Sequence, residues 1–130
     1  MIIDSHCHLN YEPMFGNLNS VIDKAKKVGI DYLLTISVDD SHYNEILKIV
    51  DLYKEVYGTY GIHPHEAKSH IDIKTEDIIL KINKNKKIIG IGETGLDFYY
   101  NYSDKADQSK LFIEHIKAAQ STNLPLIVHT

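Results

Sequence analysis

Arginine is absent from this chain of 130 residues, whose 14 basic residues are all lysines. A bidentate guanidinium clamp on a phosphate is therefore excluded within these residues, because lysine offers only a point charge. The formal net charge is −4, so the chain as a whole does not attract nucleic acid. Any phosphate-binding site must be local and assisted by cations.

Cysteine and long apolar runs are also scarce. The single cysteine, Cys7, cannot form an internal disulfide, which fits a reducing compartment, and we expect a cytoplasmic protein. No apolar run approaches the length that spans a bilayer, and the first residues do not read as a secretory signal, so we expect no membrane association. The absence of a GKS or GKT loop removes support from nucleotide-cofactor functions.

Short apolar segments alternate with segments whose apolar residues recur at helical spacing. The short segments predict five strands at residues 2–6, 32–37, 56–62, 87–92 and 125–128. The others predict four helices at residues 18–28, 43–53, 75–82 and 103–122, the last burying Phe112, Ile116 and Ala119. This alternation predicts a parallel sheet covered by helices, and the lack of a linker predicts a single domain over residues 1–130.

Two architectures fit this pattern. One is an open, doubly wound sheet, and the other is a (β/α)8 barrel, which typically needs about 250 residues. Five parallel strands and four helices amount to about half of such a barrel. Both architectures place ligands at the carboxyl ends of the strands, so the positions of unusual polar residues there are informative.

The sequence His6-Cys7-His8 stands where the first strand ends. Residues i and i+2 of a strand point to the same side, so His6 and His8 can reach one metal ion, whereas Cys7 faces the helix layer. The alternative is that two of the chain's eight histidines lie close by chance.

Glu93 and His129 end the fourth and fifth strands. Glu93 is in phase with apolar Ile89 and Ile91, and a buried carboxylate there must be paired or metal-bound; the alternative is an exposed loop glutamate. His129 is a candidate ligand or a core histidine satisfied by a backbone carbonyl. In a barrel these groups converge with His6 and His8, and a glutamate that bridges two divalent ions suits phosphoester hydrolysis.

Weaker candidates lie nearby. His63 is expected to form a wall of the site or contact a phosphate, and His65 is either a second such contact or a solvated loop residue. Asp4 orients an imidazole or caps the barrel interior. Tyr99 and Tyr100 are expected either to stack on a nucleobase of a substrate or to pack under their own loop. No role is assigned to His42, His70 and His115.

Four motifs carry a family resemblance: DSHCHL at 4–9, YGIHPHEA at 60–67, IGIGETGLDFYY at 89–100 and LPLIVHT at 124–130. With these motifs in this order, the chain resembles the TatD family of metal-dependent deoxyribonucleases, within the metal-dependent hydrolase superfamily of TIM barrels. The HxH pair alone is shared with many amidohydrolases, whereas GETGLDFYY together with GIHPH is much more specific.

The resemblance implies a partial TIM barrel that uses two divalent cations, Mg, Mn or Zn, to cleave DNA, single-stranded or at duplex ends. His6 and His8 would bind the first ion, and His129 the second. Glu93 would bridge both ions as the catalytic carboxylate. His63 and His65 would lie near the substrate phosphate.

The chain also departs from the family pattern. Family members are about twice as long and carry a further histidine and an aspartate ligand, and usually an arginine, on later strands. In this sequence His6, His8, Glu93 and His129 supply four of the six ligands that the resemblance implies. We therefore expect an amino-terminal half that is nearly inactive alone and that self-associates or needs a complementing carboxyl-terminal half. Alternatives are an amidohydrolase or esterase on the same scaffold, and a noncatalytic fragment.

Overall fold

Five parallel strands form one sheet in the computed structural model, which describes residues 1–130. The strands are β1 (Ile2–Cys7), β2 (Ile30–Thr35), β3 (Val56–Tyr60), β4 (Ile88–Gly95) and β5 (Leu126–His129). Each strand pairs in parallel with the next one in the sequence. This consecutive order is that of a barrel, because a doubly wound sheet reverses its order at a switch point. The predicted partial (β/α)8 barrel is therefore confirmed.

Four α-helices connect the strands: α1 (Leu18–Lys27), α2 (Asp40–Leu52), α3 (Thr75–Ile82) and α4 (Lys105–Thr122). Short 3-10 helices occupy Phe15–Asn17 and Pro64–Ser69. Asp39 caps the start of α2, since its carboxylate accepts a hydrogen bond from the His42 backbone N–H at 2.8 Å. None of the helices combines the length and hydropathy that crossing a bilayer requires.

The hydrophobic core lies between the sheet and the helices, and isoleucine dominates it. At its centre the rings of Tyr43 and Tyr60 meet edge to face, with centroids 4.7 Å apart. A second apolar set, including Ile3, Tyr32 and Ile89, lines an open groove of about 260 Å³. These three side chains are 52%, 40% and 39% exposed, respectively. This matches the expectation of a barrel interior that five strands enclose only in part.

The buried face of α4 differs from the prediction. The fully covered side chains are Gln108, Leu111, His115 and Ala118. The predicted set of Phe112, Ile116 and Ala119 is only half-buried. The apolar periodicity was misleading because two polar side chains, Gln108 and His115, are buried with hydrogen-bond partners.

His115 is a core histidine, although no role was assigned to it from the sequence. Its Nδ1 lies 2.8 Å from the Leu111 carbonyl oxygen and donates to it, while Nε2 accepts the Ile62 backbone N–H at 3.1 Å. Both ring nitrogens are therefore used by the neutral form. Burial lowers the pKa of His115 to about 4. This histidine joins α4 to the chain segment that follows β3.

Acidification should destabilise the chain through His115. The folded-state pKa near 4 lies below the value of 6.5 for a free histidine, so between these values the unfolded state binds more protons. Stability should fall as the pH drops through this window, by up to about 1.4 kcal/mol per pH unit. Urea unfolding at several pH values measures this, and a His115→Gln variant should show a shallower pH dependence. Equal slopes in the two proteins would contradict the assignment.

Candidate metal centre

The predicted site residues meet at the carboxyl ends of the strands. His6, His8 and Glu93 offer ligand atoms that all lie within 4.8 Å of one another. A second group within the same limit consists of His63, His65 and His129. The two groups adjoin because Glu93 faces both of them.

Glu93 lies between two imidazoles on different strands. Its Oε2 is 3.6 Å from His6 Nε2, and its Oε1 is 3.0 Å from His129 Nδ1. The residue is only 9% exposed, and both of its ion-pair partners within 4.0 Å are imidazoles rather than lysines. A buried carboxylate without a permanent cation beside it is costly, so this position favours a bound cation.

The backbone around Glu93 is fixed by close packing of two glycines. A Cβ atom on Gly61 would overlap the backbone of Gly92, whose φ of +131° favours glycine. The Glu93 N–H donates to the Ser37 carbonyl at 2.9 Å, and the Thr59 hydroxyl donates to the Gly92 carbonyl. The glycine-rich stretch 90–95 has the GxGxxG spacing of a dinucleotide loop, but it lies inside β4 and leads into no helix before α4.

The hydrogen bonding of His8 leaves one nitrogen ready to bind a metal. Its Nδ1 is 3.2 Å from the Ile36 carbonyl oxygen. A carbonyl oxygen can only accept a hydrogen bond, so Nδ1 of the neutral His8 ring carries the proton and Nε2 keeps its lone pair. Metal-ligating histidines are commonly oriented in this way. The donor set of His6, His8 and Glu93 therefore fits a divalent cation.

The neighbours of these two histidines have structural roles. Cys7 faces the helix layer, where its Sγ donates to the Leu34 carbonyl at 3.3 Å, and burial raises the pKa of the thiol to about 12. A thiol of this kind is no ligand at neutral pH. Asp4 accepts the backbone N–H of His6 at 3.2 Å rather than orienting an imidazole.

Asp97 joins the second group, and the sequence did not single it out. Its Oδ2 is 2.7 Å from His65 Nε2 and 3.1 Å from His129 Nε2. Its Oδ1 accepts the backbone N–H groups of Tyr99 and Tyr100. The hydrogen bond from His65 contributes most to a pKa of Asp97 well below its usual range. A carboxylate four residues beyond Glu93, just after the end of β4, was the available signal.

Asp97 determines how His129 meets Glu93. When His129 donates Nε2–H to Asp97, its Nδ1 presents a lone pair to Glu93 Oε1. Two acceptors 3.0 Å apart require a proton or a metal cation between them. His129 is thus neither a core histidine nor a surface residue, and its donor atom fits an ion shared with Glu93.

His63 is a hydrogen-bond donor in this arrangement. Its Nδ1 accepts the His65 backbone N–H at 3.1 Å, so in the neutral ring the proton is on Nε2, 3.2 Å from His129 Nδ1. Burial and the adjacent imidazoles of His129 and His65 lower the pKa of His63 to about 4. His63 is therefore neutral at pH 7, and in this tautomer its Nε2–H is available as a hydrogen-bond donor. His65 is held by Asp97 and is no solvated loop residue.

A cavity of about 300 Å³ opens beside the centre. His8, His63, His65 and Glu93 line one part of it, and Tyr11 stacks on the His8 ring with centroids 4.9 Å apart. No lysine lines this cavity. Tyr11 was not predicted, because no spacing rule relates it to the strand ends.

A family model described as TatD related DNase matches residues 3–130. The chain belongs to this family. It is 39% identical over 135 residues to an uncharacterized metal-dependent hydrolase of Buchnera aphidicola subsp. Baizongia pistaciae, covering 99% of this chain and 49% of that one. Human deoxyribonuclease TATDN3 is 30% identical over 141 residues, and the match covers 99% of this chain and 52% of TATDN3.

Solved TatD structures support the same placement. The crystal structure of YjjV, a TatD homologue from Escherichia coli K12, superposes with a TM-score of 0.88 at 25% identity. The match covers 98% of this chain and 50% of YjjV. The chain thus spans about half the length of the TatD relatives that it matches.

Proposed function

We propose that this chain holds a two-metal centre that hydrolyses DNA phosphodiester bonds. The observation that carries the proposal is the position of Glu93, whose two oxygens face His6 on one strand and His129 on another. His6, His8 and Glu93 would hold one ion, and Glu93 with His129 a second. Bridging carboxylates of this kind are typical of two-metal phosphoesterases.

The donor set constrains the ions. Three imidazoles and one carboxylate suit Mn²⁺ or Zn²⁺ better than Mg²⁺, which prefers oxygen ligands. Several relatives are named metal-dependent hydrolases, which supports a divalent metal here. When bound, such ions polarise a phosphoryl oxygen and lower the pKa of water.

The surrounding side chains would bind and orient the phosphate. His63 keeps a neutral Nε2–H that can donate to a phosphate oxygen, and Asp97 fixes the rings of His65 and His129. Because no lysine lines the cavity, the phosphate charge would have to be balanced by the ions. The name of the human relative, a deoxyribonuclease, supports DNA as the substrate.

Release of nucleotides from end-labelled single-stranded DNA tests this function. These residues supply only four of the six ligands that the family resemblance implies, so we expect slow hydrolysis. The protein is therefore used in excess over DNA. Mn²⁺ or Zn²⁺ should support release, and EDTA should stop it. No release with any ion would contradict the proposal. Hydrolysis of cyclic amides, lactones or phosphotriesters instead of DNA would favour an amidohydrolase or esterase.

A further inference from the structure

One histidine of the cavity, His42, has no role in the metal centre described above. Four histidines line this cavity of about 300 Å³, and the other three, His8, His63 and His65, belong to the two groups of the centre. His42 comes from the first turn of α2, whereas the proposed ligands lie at the ends of strands. An imidazole on a separate wall of a cavity can act on a substrate that the cavity holds.

The Asp39 carboxylate holds the His42 ring in one orientation. Its Oδ1 lies 2.7 Å from His42 Nδ1 and also accepts the His42 backbone N–H at 2.8 Å. An ionised carboxylate can only accept hydrogen bonds, so Nδ1 of the ring carries a proton and donates to Asp39. Nε2 is therefore the nitrogen left to exchange a proton with a ligand. Catalytic histidines that transfer protons are commonly oriented by a carboxylate in this way.

Tyr11 lies between His42 and the metal centre. Its ring centroid is 5.1 Å from that of His42 and 4.9 Å from that of His8. One aromatic ring thus separates the two imidazoles, a gap that a phosphodiester group can bridge. Burial raises the pKa of the Tyr11 hydroxyl, so Tyr11 is a poorer proton donor than the imidazole beside it.

The titratable groups around His42 come from several elements. Asp39 precedes α2, and Glu45 lies three residues beyond His42, where its carboxylate accepts a hydrogen bond from the Asn10 amide at 3.0 Å. No lysine lines the cavity, so no ammonium group competes with His42 as a proton donor. The other titratable residues that line the cavity are His8, Tyr11, His63, His65, Glu66 and Glu93.

We propose that His42 is a general acid that protonates the leaving oxygen when a phosphodiester bond is cleaved in this cavity. This rests on the proposed function and adds a catalytic residue to it, with Asp39 as the positioning residue. A water oxygen forms a bond to phosphorus and its proton passes to solvent, while the bond from phosphorus to the leaving oxygen breaks. The electron pair of that bond takes the proton from His42 Nε2, and solvent then reprotonates the neutral ring.

The position of His42 suits the leaving side of the reaction. The attacking and leaving oxygens stand on opposite sides of phosphorus in an in-line displacement. A donor on α2 is separate from the strand ends that carry the proposed ligands. The alternative is that His42 only supports the start of α2 through its contact with Asp39.

Two substrates with different leaving groups separate these roles. Thymidylyl-thymidine loses an alkoxide, which needs a proton, whereas the p-nitrophenyl ester of thymidine 5′-phosphate loses a phenolate that is stable without one. Each is incubated with Mn²⁺ or Zn²⁺ and an excess of protein. The variants are His42→Ala and His42→Gln, whose backbone N–H can still donate to Asp39. Circular dichroism verifies that they fold.

His70→Ala is the matched control. His70 also lies near an aspartate, with its Nε2 4.0 Å from Asp40 Oδ2, but it does not line the cavity. This variant should match the wild type on both substrates.

Both His42 variants should cleave thymidylyl-thymidine about 100-fold more slowly than the wild type, as is usual when a general acid is lost. Their rates on the nitrophenyl ester should stay within about threefold of the wild type, because that leaving group needs no proton. The wild-type rate on the dinucleotide should fall as rising pH removes the proton of His42. This fall should be missing from both variants. Equal losses on the two substrates, or no loss on the dinucleotide, would overturn the acid role.

Nitrogen NMR of the protein without metal gives a readout that needs no catalysis. The neutral His42 ring should carry its proton on Nδ1, and a proton on Nε2 instead would also overturn the acid role.

The two proposals can fail separately. If single-stranded DNA is cleaved but the His42 variants treat both small substrates alike, the acid role alone is wrong. If the wild type cleaves the nitrophenyl ester but not the dinucleotide, the acid role is wrong and the hydrolytic centre stands. Cleavage of no substrate with any ion would contradict the proposed function, and the acid role with it.

Discussion

Divalent-ion binding should be lost from a Glu93→Gln variant. The carboxylate is shared between the two groups of imidazoles, so its removal takes a charged ligand from both proposed ions at once. We expect the affinity for Mn²⁺, measured by isothermal titration calorimetry, to fall by more than about 100-fold, since two sites lose their only anionic ligand.

Thermal unfolding provides a second measurement on the same variant. Mn²⁺ at about 100 times its dissociation constant should stabilise the wild type by about 2.7 kcal/mol and should not stabilise Glu93→Gln. In EDTA the variant should be at least as stable as the wild type, because the uncompensated buried charge is gone. Glu76→Gln, an exposed glutamate of α3, is the matched control. Normal Mn²⁺ binding by Glu93→Gln would contradict the proposed metal centre and favour the noncatalytic alternative.

An Asp97→Asn variant should bind Mn²⁺ about 10- to 100-fold more weakly, the usual effect of removing the partner of a metal-ligating histidine. The amide keeps the size of the carboxylate and one oxygen for the turn, but it removes the charged acceptor shared by His65 and His129. His129 can then turn its other nitrogen toward Glu93. Asp97 acts here as a positioning residue.

The effect should be confined to the second ion. In calorimetric titrations of Asp97→Asn, the binding phase of the second ion should shift to weaker affinity. The phase of the ion assigned to His6, His8 and Glu93 should keep its affinity. NMR of the imidazole nitrogens should show a changed tautomer at His129, which a simple loss of stability would not produce. Asp104→Asn, on an exposed residue before α4, is the control. Unchanged binding and an unchanged tautomer would refute the role of Asp97.

The fold was predictable because local signals were mutually consistent. Apolar runs located the five strands, and apolar residues at helical spacing located the four helices. A parallel sheet brings all carboxyl ends to one edge, so the proximity of His6, Glu93 and His129 followed from the strand positions alone. Their roles as ligands remain predictions, because proximity does not establish what they bind.

Other features depended on contacts that the sequence does not display. Asp97 is 32 residues from both His65 and His129, and it lies in a loop where no periodicity gives the direction of a side chain. His115 is 53 residues from Ile62, whose N–H it accepts. The predicted helix face failed for the same reason, since hydrogen-bonded polar residues can be buried where only apolar ones are expected.

The consecutive strand order has a kinetic consequence. Because every strand pairs with its neighbour in the sequence, each pairing closes only one strand–helix unit, which costs less loop-closure entropy than pairing distant strands. The sheet can therefore grow strand by strand from the amino terminus during synthesis. His6 and His8 are in place after the first pairing, whereas Glu93 arrives with β4 and His129 with β5. Ion capture should thus be a late event that holds the last two strands in place.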